Sequence, residues 1–343
     1  MQKRNTILVI TVVLFLFAWL TEGCRKNKVE LTTYPVQIPA HFPSTDYYQR
    51  NPVTKEGFEL GRRLFYDRRF SVDGSISCGS CHEQAAAFGT FDHDLSHGVN
   101  GAHGIRNAMS LFNLAWQTSY GWDGKYSSLD AVYAAHINSP IEFGENSNNI
   151  INKLKTDSRY PQQFKTIYGS TDINQQRIYN ALTQFVSAFI SSATKYDSVK
   201  QNLKSFTANE QAGYVVFQNK CNSCHAEPLF TDFSYRNIGL PLSILNDKGR
   251  MMVTGNKADS LKFRVPSLRN LYKNYPFLHD GRFIGFEQIF DHYQSGVQQS
   301  TILDPLLNGG IQLSVAERSA LVDFLRTLTD NTFTGNSSFA APQ

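Results

Sequence analysis

Residues 78–82 read CGSCH and residues 221–225 read CNSCH. Two thiols three positions apart on one turn can form thioethers to the two vinyl groups of a haem. The adjacent imidazole then lies beneath the iron. A redox-active CxxC would require a βαβ setting, which the sequence lacks. A zinc site would draw one ion between both motifs. Of five cysteines, only Cys24 lies outside the two motifs. The pattern therefore predicts two covalent haem c groups, one on Cys78, Cys81 and His82, the other on Cys221, Cys224 and His225.

Two haems can form an electron wire, or one can meet an oxidant while the other supplies electrons. The far-side ligand decides which. A haem with two strong protein ligands transfers electrons, and one with an openable side binds a small oxidant.

The elements around each motif follow one plan. TKEGFELGRRLFYDRRF from Thr54 reads as a helix with Phe58, Leu64 and Phe65 inward. It leads to the first motif. A turn-rich stretch, 88–108, carries His93, His97 and His103, and a helical segment is expected over Ala108–Trp116. Residues 174–192 read as an amphipathic helix with Ile178, Leu182, Phe185, Val186 and Phe189 on one face. The pattern then restarts. Thr207 and Glu210 form a capping box before a helix holding Tyr214, Val215 and Phe217, which leads into the second motif. After loop-rich residues 226–265, Ser314 and Glu317 cap a closing helix through Leu321, Phe324, Leu325 and Leu328. No run of alternating strands appears. The expected fold class is all-α, two loop-rich cytochrome c-like domains each wrapped around a covalent haem.

The 343 residues favour two domains. The net charge of +4, with no Lys/Arg block, argues against nucleic acid as partner. Lys3 and Arg4 precede an apolar run, Ile7–Leu20, too short for a comfortable membrane span. TEGC follows, and Cys24 after Gly23 resembles a lipoprotein acylation site. The expected division is 1–24 signal, 25–45 tether, 46–200 N-terminal domain, 201–332 C-terminal domain and 333–343 tail. The body is placed in the periplasm or cell envelope, lipid-anchored through Cys24, with plain export and an uncleaved anchor as alternatives.

LGRRLFYDRRFS before CGSCH, then HGVNGAHGIRNAMSLFNLAW, WDGKYSSL, INSPIEFG, FRVPSLRN and YPFLHDGRF, in that order, resemble the bacterial di-haem cytochrome c peroxidase family, including its MauG branch. The resemblance runs from about Gly57 to Leu328. It implies that the N-terminal haem is peroxidatic and the C-terminal haem takes electrons from an external donor. Trp122 is implied to lie between them; a plain buried tryptophan at a haem edge is the blander reading. Calcium between the domains is implied at Asn107, Asn274 and Pro276, with Asn274 where Thr is common. Where other members place Met, and MauG places Tyr, this chain has Tyr293. Its only methionines are Met1, Met109, Met251 and Met252. His292 is the rival ligand.

In the first far-side pocket the resemblance keeps Glu142, the acid/base of the family. It replaces two other positions with Val132 and His136. His136 either assists proton transfer or binds the iron and closes the site. His97 is a candidate switch ligand of the first haem, or a propionate partner. Arg106 is a candidate propionate partner.

The leading expectation is a cytochrome c peroxidase. Hydrogen peroxide is reduced to water with electrons from a small cytochrome c, a cupredoxin or a quinol-linked carrier, relayed from the C-terminal to the N-terminal haem. A MauG-like oxidase of a protein or small substrate is the alternative that Tyr293 favours. A non-enzymatic electron carrier follows if His136 or His97 blocks the first haem. A homodimer is in keeping with the resemblance.

Overall fold

The structure, a computed structural model, describes residues 30–343. The signal segment and Cys24 lie outside the described residues. Helices dominate: α1 (Lys55–Phe65), α2 (Leu129–Asn138), α3 (Ser147–Lys155), α4 (Arg159–Tyr168), α5 (Gln175–Ser187), α6 (Lys195–Lys200), α7 (Ala208–Lys220), α8 (Phe286–Asp291) and α9 (Val315–Arg326). Among the described residues the strand content is one antiparallel pair, Tyr235–Arg236 with Phe263–Arg264.

Two helix pairs organise the molecule: α1 crosses α5, and α7 crosses α9. Their sequences explain the crossings. Thr54 caps α1, accepting from the Gly57 amide, and the capping boxes at Thr207 and Ser314 start α7 and α9 as expected. At each crossing a glycine meets a backbone carbonyl. A Cβ on Gly61 would lie 2.0 Å from Ala181 O, and one on Gly213 would lie 1.9 Å from Ala320 O. Each glycine is followed four residues later by a buried Phe (Phe65, Phe217), and each alanine likewise (Phe185, Phe324). One helix-pair design is thus used twice.

Two apolar clusters follow. The first gathers Phe58, Phe65, Phe88, Phe164, Phe185 and Phe189; the second gathers Tyr196, Phe217, Phe230, Phe324 and Leu328. Burying a Phe contributes about 2 kcal/mol, so these rings account for much of the core.

Three expectations are corrected. Ala108–Trp116 forms no α-helix; only Leu114–Trp116 makes a turn, entered through Asn113 in the left-handed region. The arm reaches the body earlier than residue 46. Lys55 N donates to Thr32 O at 2.7 Å, and Tyr34 stacks on Phe58 with centroids 4.3 Å apart. Residues 333–343 are no free tail. Phe333 and Phe339 sit in the first cluster, and Tyr66 Oη donates to Phe339 O at 2.8 Å.

The arm also bridges the halves. His41 Nε2 lies 2.9 Å from Asp197 Oδ1, and Asp197 forms a fully buried bidentate pair with Arg269, at 2.9 and 2.7 Å. No helix among the described residues is long and apolar enough to cross a membrane.

Candidate haem sites and the loop between them

Each CxxCH histidine is held by a backbone carbonyl. His82 Nδ1 lies 2.9 Å from Phe88 O, and His225 Nδ1 lies 3.1 Å from Pro266 O. A carbonyl on Nδ1 fixes the tautomer and leaves Nε2 as the ligating atom, the usual second partner of a metal-binding histidine. Burial pulls the His82 imidazole down to about 4 and lowers that of His225, which favours the neutral ring in each. Burial also pushes the Cys78 and Cys221 thiols up to about 12.

A cavity of about 250 Å³ opens beside the second motif. Cys221, Cys224, His225, Trp122, His279 and Tyr293 line it. Tyr293 belongs to a wide helical turn with π-type spacing, His292–Gly296, a form that recurs at functional sites. Its phenol pKa is raised, first by burial and then by the neighbouring Cys221 and Cys224. His292, the rival, is turned elsewhere: its Nε2 lies 2.9 Å from Ile238 O, and it does not line the cavity. Met251 and Met252 lie on a separate short helix, and Met252 is exposed.

At the first motif, His136 Nδ1 is hydrogen-bonded to Glu142 Oε2. His82 feels the charges of both, and Cys81 that of Glu142. The last turn of α2 carries His136. The Ser139–Gly144 turn that brings Glu142 back is closed by Gly144 N to Ser139 O at 2.8 Å. Val132, on α2, packs against the first core. His97 contributes its backbone: its carbonyl accepts from Cys81 Sγ at 3.5 Å, while its exposed ring meets His93 and His103 edge-on, centroids 4.3 and 4.2 Å away.

Trp122 is buried between the halves. Its Nε1 donates to Asn107 O at 2.9 Å. Asn107, Asn274 and Pro276 line the same cavity. The Asn107 amide nitrogen is committed to His93 O and Asp94 O, which turns Oδ1 the other way. A neutral side-chain oxygen with backbone carbonyls is a donor set that suits calcium. Among the described residues no cluster of three His, Cys, Asp or Glu is arranged to hold a metal.

Arg106 is ion-paired: its guanidinium meets two carboxylates, Asp123 at 2.7 Å and Asp247 at 2.6 Å. Burial raises Asp247, yet the Arg106 hydrogen bonds and charge outweigh it and hold the carboxyl below its usual range.

The sequence reading missed the residues that grip the Trp122 loop from the second half. Arg250 Nη1 donates to Asp123 O at 3.0 Å. Arg264 N donates to Trp122 O at 2.7 Å, its Nε to Gly121 O at 3.3 Å and its Nη2 to Ser119 O at 2.6 Å. Arg264 stands inside FRVPSLRN, but nothing in its spacing signals a partner more than a hundred positions away.

Residues 55–205 match the family described as Di-haem cytochrome c peroxidase. The chain is similar to methylamine utilization protein MauG of Methylorubrum extorquens, 31% identical over 297 residues, covering 83% of this chain and 81% of that protein. It is similar to cytochrome c551 peroxidase of Nitrosomonas europaea, 32% identical over 287 residues, covering 81% of each. Among solved structures, a MauG-like protein associated with microbial copper homeostasis superposes with a TM-score of 0.83 at 28% identity, covering 90% of this chain and 99% of that one. With two CxxCH motifs set in a repeated helix-pair design and relatives matched along most of their length, the chain belongs to the di-haem cytochrome c peroxidase family.

Proposed function

We propose that this chain reduces hydrogen peroxide to water at the first haem site, taking two electrons and two protons per peroxide. The electrons come from a small redox protein, a cytochrome c or a cupredoxin, and enter at the second haem site. Cys78, Cys81 and His82 would hold the first haem c, and Cys221, Cys224, His225 and Tyr293 the second. When bound, haem iron supplies the redox chemistry.

The observation that carries the reading is the His136–Glu142 pair within electrostatic reach of His82. An acid/base must reach the reacting oxygen directly or through one water. Glu142 can take a proton from one peroxide oxygen and return it to the other, so that the departing oxygen leaves as water. His136, bonded to Glu142, orients the carboxyl and replenishes the proton from solvent. Trp122, packed against the second cavity and held from both halves, is the aromatic stepping stone between the sites.

The domains assigned to these roles are 46–200 and 201–332. Asn107, Asn274 and Pro276 would hold calcium at their junction. Chelation should loosen the Trp122 loop, seen as slower electron passage between the haems and restored by added calcium. Unchanged transfer in a calcium-free protein would remove the ion from the scheme. We place the body in the periplasm, anchored through acylated Cys24; the mass of the mature N-terminal peptide reports this.

A second reading, a MauG-like oxidase of a protein or small substrate, is favoured by Tyr293 in the second cavity. A tyrosinate stabilises oxidised iron, whereas Met raises the potential. One experiment separates the two. Half-reduced protein is mixed with peroxide in a stopped-flow instrument, and reduced cytochrome c is then added. Repeated rapid oxidation of the cytochrome supports the peroxidase. A long-lived oxidised spectrum that ignores the cytochrome supports the oxidase. No reaction with peroxide at all overturns both.

A further inference from the structure

The second cavity is lined by four long basic side chains, and three are already neutralised. Lys220 pairs with Glu317 at 2.6 Å, Arg236 with Asp304 at 2.7 Å and Asp232 at 2.6 Å, and Arg269 with Asp197. Arg264 is the fourth. It is 3% exposed, and its partners are carbonyls and hydroxyls only: Gly121 O, Ser119 O and Oγ, and Tyr235 Oη. No carboxylate meets it among the described residues. Its Nη1 is buried with no hydrogen-bond partner at all, and of the five such side-chain atoms among the described residues it is the one on a cavity-lining residue.

A buried guanidinium with no anion is costly. An unpaired buried charge costs several kcal/mol, and removing it from water without a partner shifts it towards neutrality. Burial does lower the Arg264 pKa, with Tyr235 opposing. Arg250 lies over the same Tyr235 ring as Arg264, at 4.1 and 5.1 Å, and adds a second positive charge. An anion that balances Arg264 would be one held in the cavity that this residue lines.

We propose that Arg264, which lines the cavity, binds a propionate carboxylate of the second haem through its guanidinium, while its backbone-directed donors hold the Trp122 loop. The inference rests on the reading that Cys221, Cys224 and His225 carry haem c. It makes Arg264 the one residue that touches both ends of the electron path: the edge of the second haem and the backbone at Ser119, Gly121 and Trp122. A planar fork with five donors suits this double duty; a lysine ammonium does not. The carboxylate neutralises the guanidinium, and the guanidinium keeps the carboxylate ionised. Arg264 is a positioning residue, since it acts on Trp122 through the loop backbone.

The test uses the purified two-haem protein and measures the midpoint potential of each haem against pH by spectroelectrochemistry. A buried positive charge favours the reduced state of the haem beside it. Arg264→Gln is expected to lower the second haem's potential and to move the propionate titration to higher pH, with the first haem unchanged. Arg264→Lys, the variant less disruptive to folding, is expected to keep the potential but still move that titration upward. Arg106→Gln loosens the same loop without lining the cavity, and is expected to leave the second haem's potential where it was. A second haem whose potential and titration stay unchanged in both Arg264 variants overturns the assignment. So does a shift matched by Arg106→Gln, which would make it a loop effect. Pyridine haemochrome counting separates the underlying reading: fewer than two covalent haems per chain overturns that reading, and the assignment with it.

Discussion

His136 Nδ1 and Glu142 Oε2 are hydrogen-bonded to each other across the turn that follows α2. Side chains six positions apart meet here because the helix ends at Asn138 and the chain doubles back. Glu142→Gln should lower peroxide turnover by about 100-fold or more, the usual scale for losing an acid/base. His136→Gln leaves the carboxylate in place and should cost less. Wild-type turnover in Glu142→Gln, measured by cytochrome oxidation, would remove Glu142 from the chemistry.

Tyr293 lines the second cavity and His292 does not. Tyr293→Met should raise the potential of the second haem, since a thioether favours ferrous iron. Tyr293→Phe should leave that iron open to added imidazole. His292→Ala should change neither reading. A spectrum of the second haem that is the same in wild type and Tyr293→Phe would show that the phenol is no ligand.

Gly61 and Gly213 hold equivalent places. A methyl group on either meets a carbonyl oxygen at about half the normal contact distance, and the crossing helices would have to part. Gly213→Ala should destabilise by about 3 kcal/mol, the upper end of overpacking costs, and Gly61→Ala similarly. Differential scanning calorimetry should show a lowered Tm in each. An unchanged Tm for both would mean that the crossings are looser than they stand here.

Asp197 joins Arg269, His41 and the start of α6. Burial raises its carboxyl, but the Arg269 hydrogen bonds and charge, with those from Thr194, outweigh it, and the pKa is lowered. A depressed folded pKa gives stability that is complete above the unfolded value of about 3.9. That stability is lost as pH falls through the folded value. Acid unfolding should therefore steepen below about pH 4 in wild type and lose that component in Asp197→Asn. Arg269→Met, which strands the carboxylate, should cost about 3–5 kcal/mol at neutral pH. Superimposable acid-unfolding curves for wild type and Asp197→Asn would contradict this.

The helices were legible because their signals are local. Thr54, Thr207 and Ser314 announce their caps, and the apolar faces of α5 and α9 repeat at helical spacing. Ala108–Trp116 was misread because its apolar residues suit a helix, while Asn113 takes a left-handed turn instead. The haem motifs were legible as motifs. What was not legible was pairing at a distance. Nothing near Arg106 in the sequence announces Asp247, its ion-pair partner 141 positions away. Arg264 drew no attention in the sequence for the same reason. The glycine crossings could have been found: Gly61 and Phe65 match Gly213 and Phe217, and Ala181-Leu182 with Phe185 match Ala320-Leu321 with Phe324.

Phe333 and Phe339 lie in the first aromatic core, beside Phe88 and Phe189, while the second core is complete by Leu328. A chain made N-terminus first thus presents CGSCH long before the cluster around it is complete. The half encoded first is the half that closes last. The second cluster draws on no residue beyond Leu328, whereas the first includes Phe333 and Phe339. Until those two rings are in place, the half that carries Cys78 and Cys81 is an incomplete host. A ribosome stalled before Phe333 would leave that host without its closing rings.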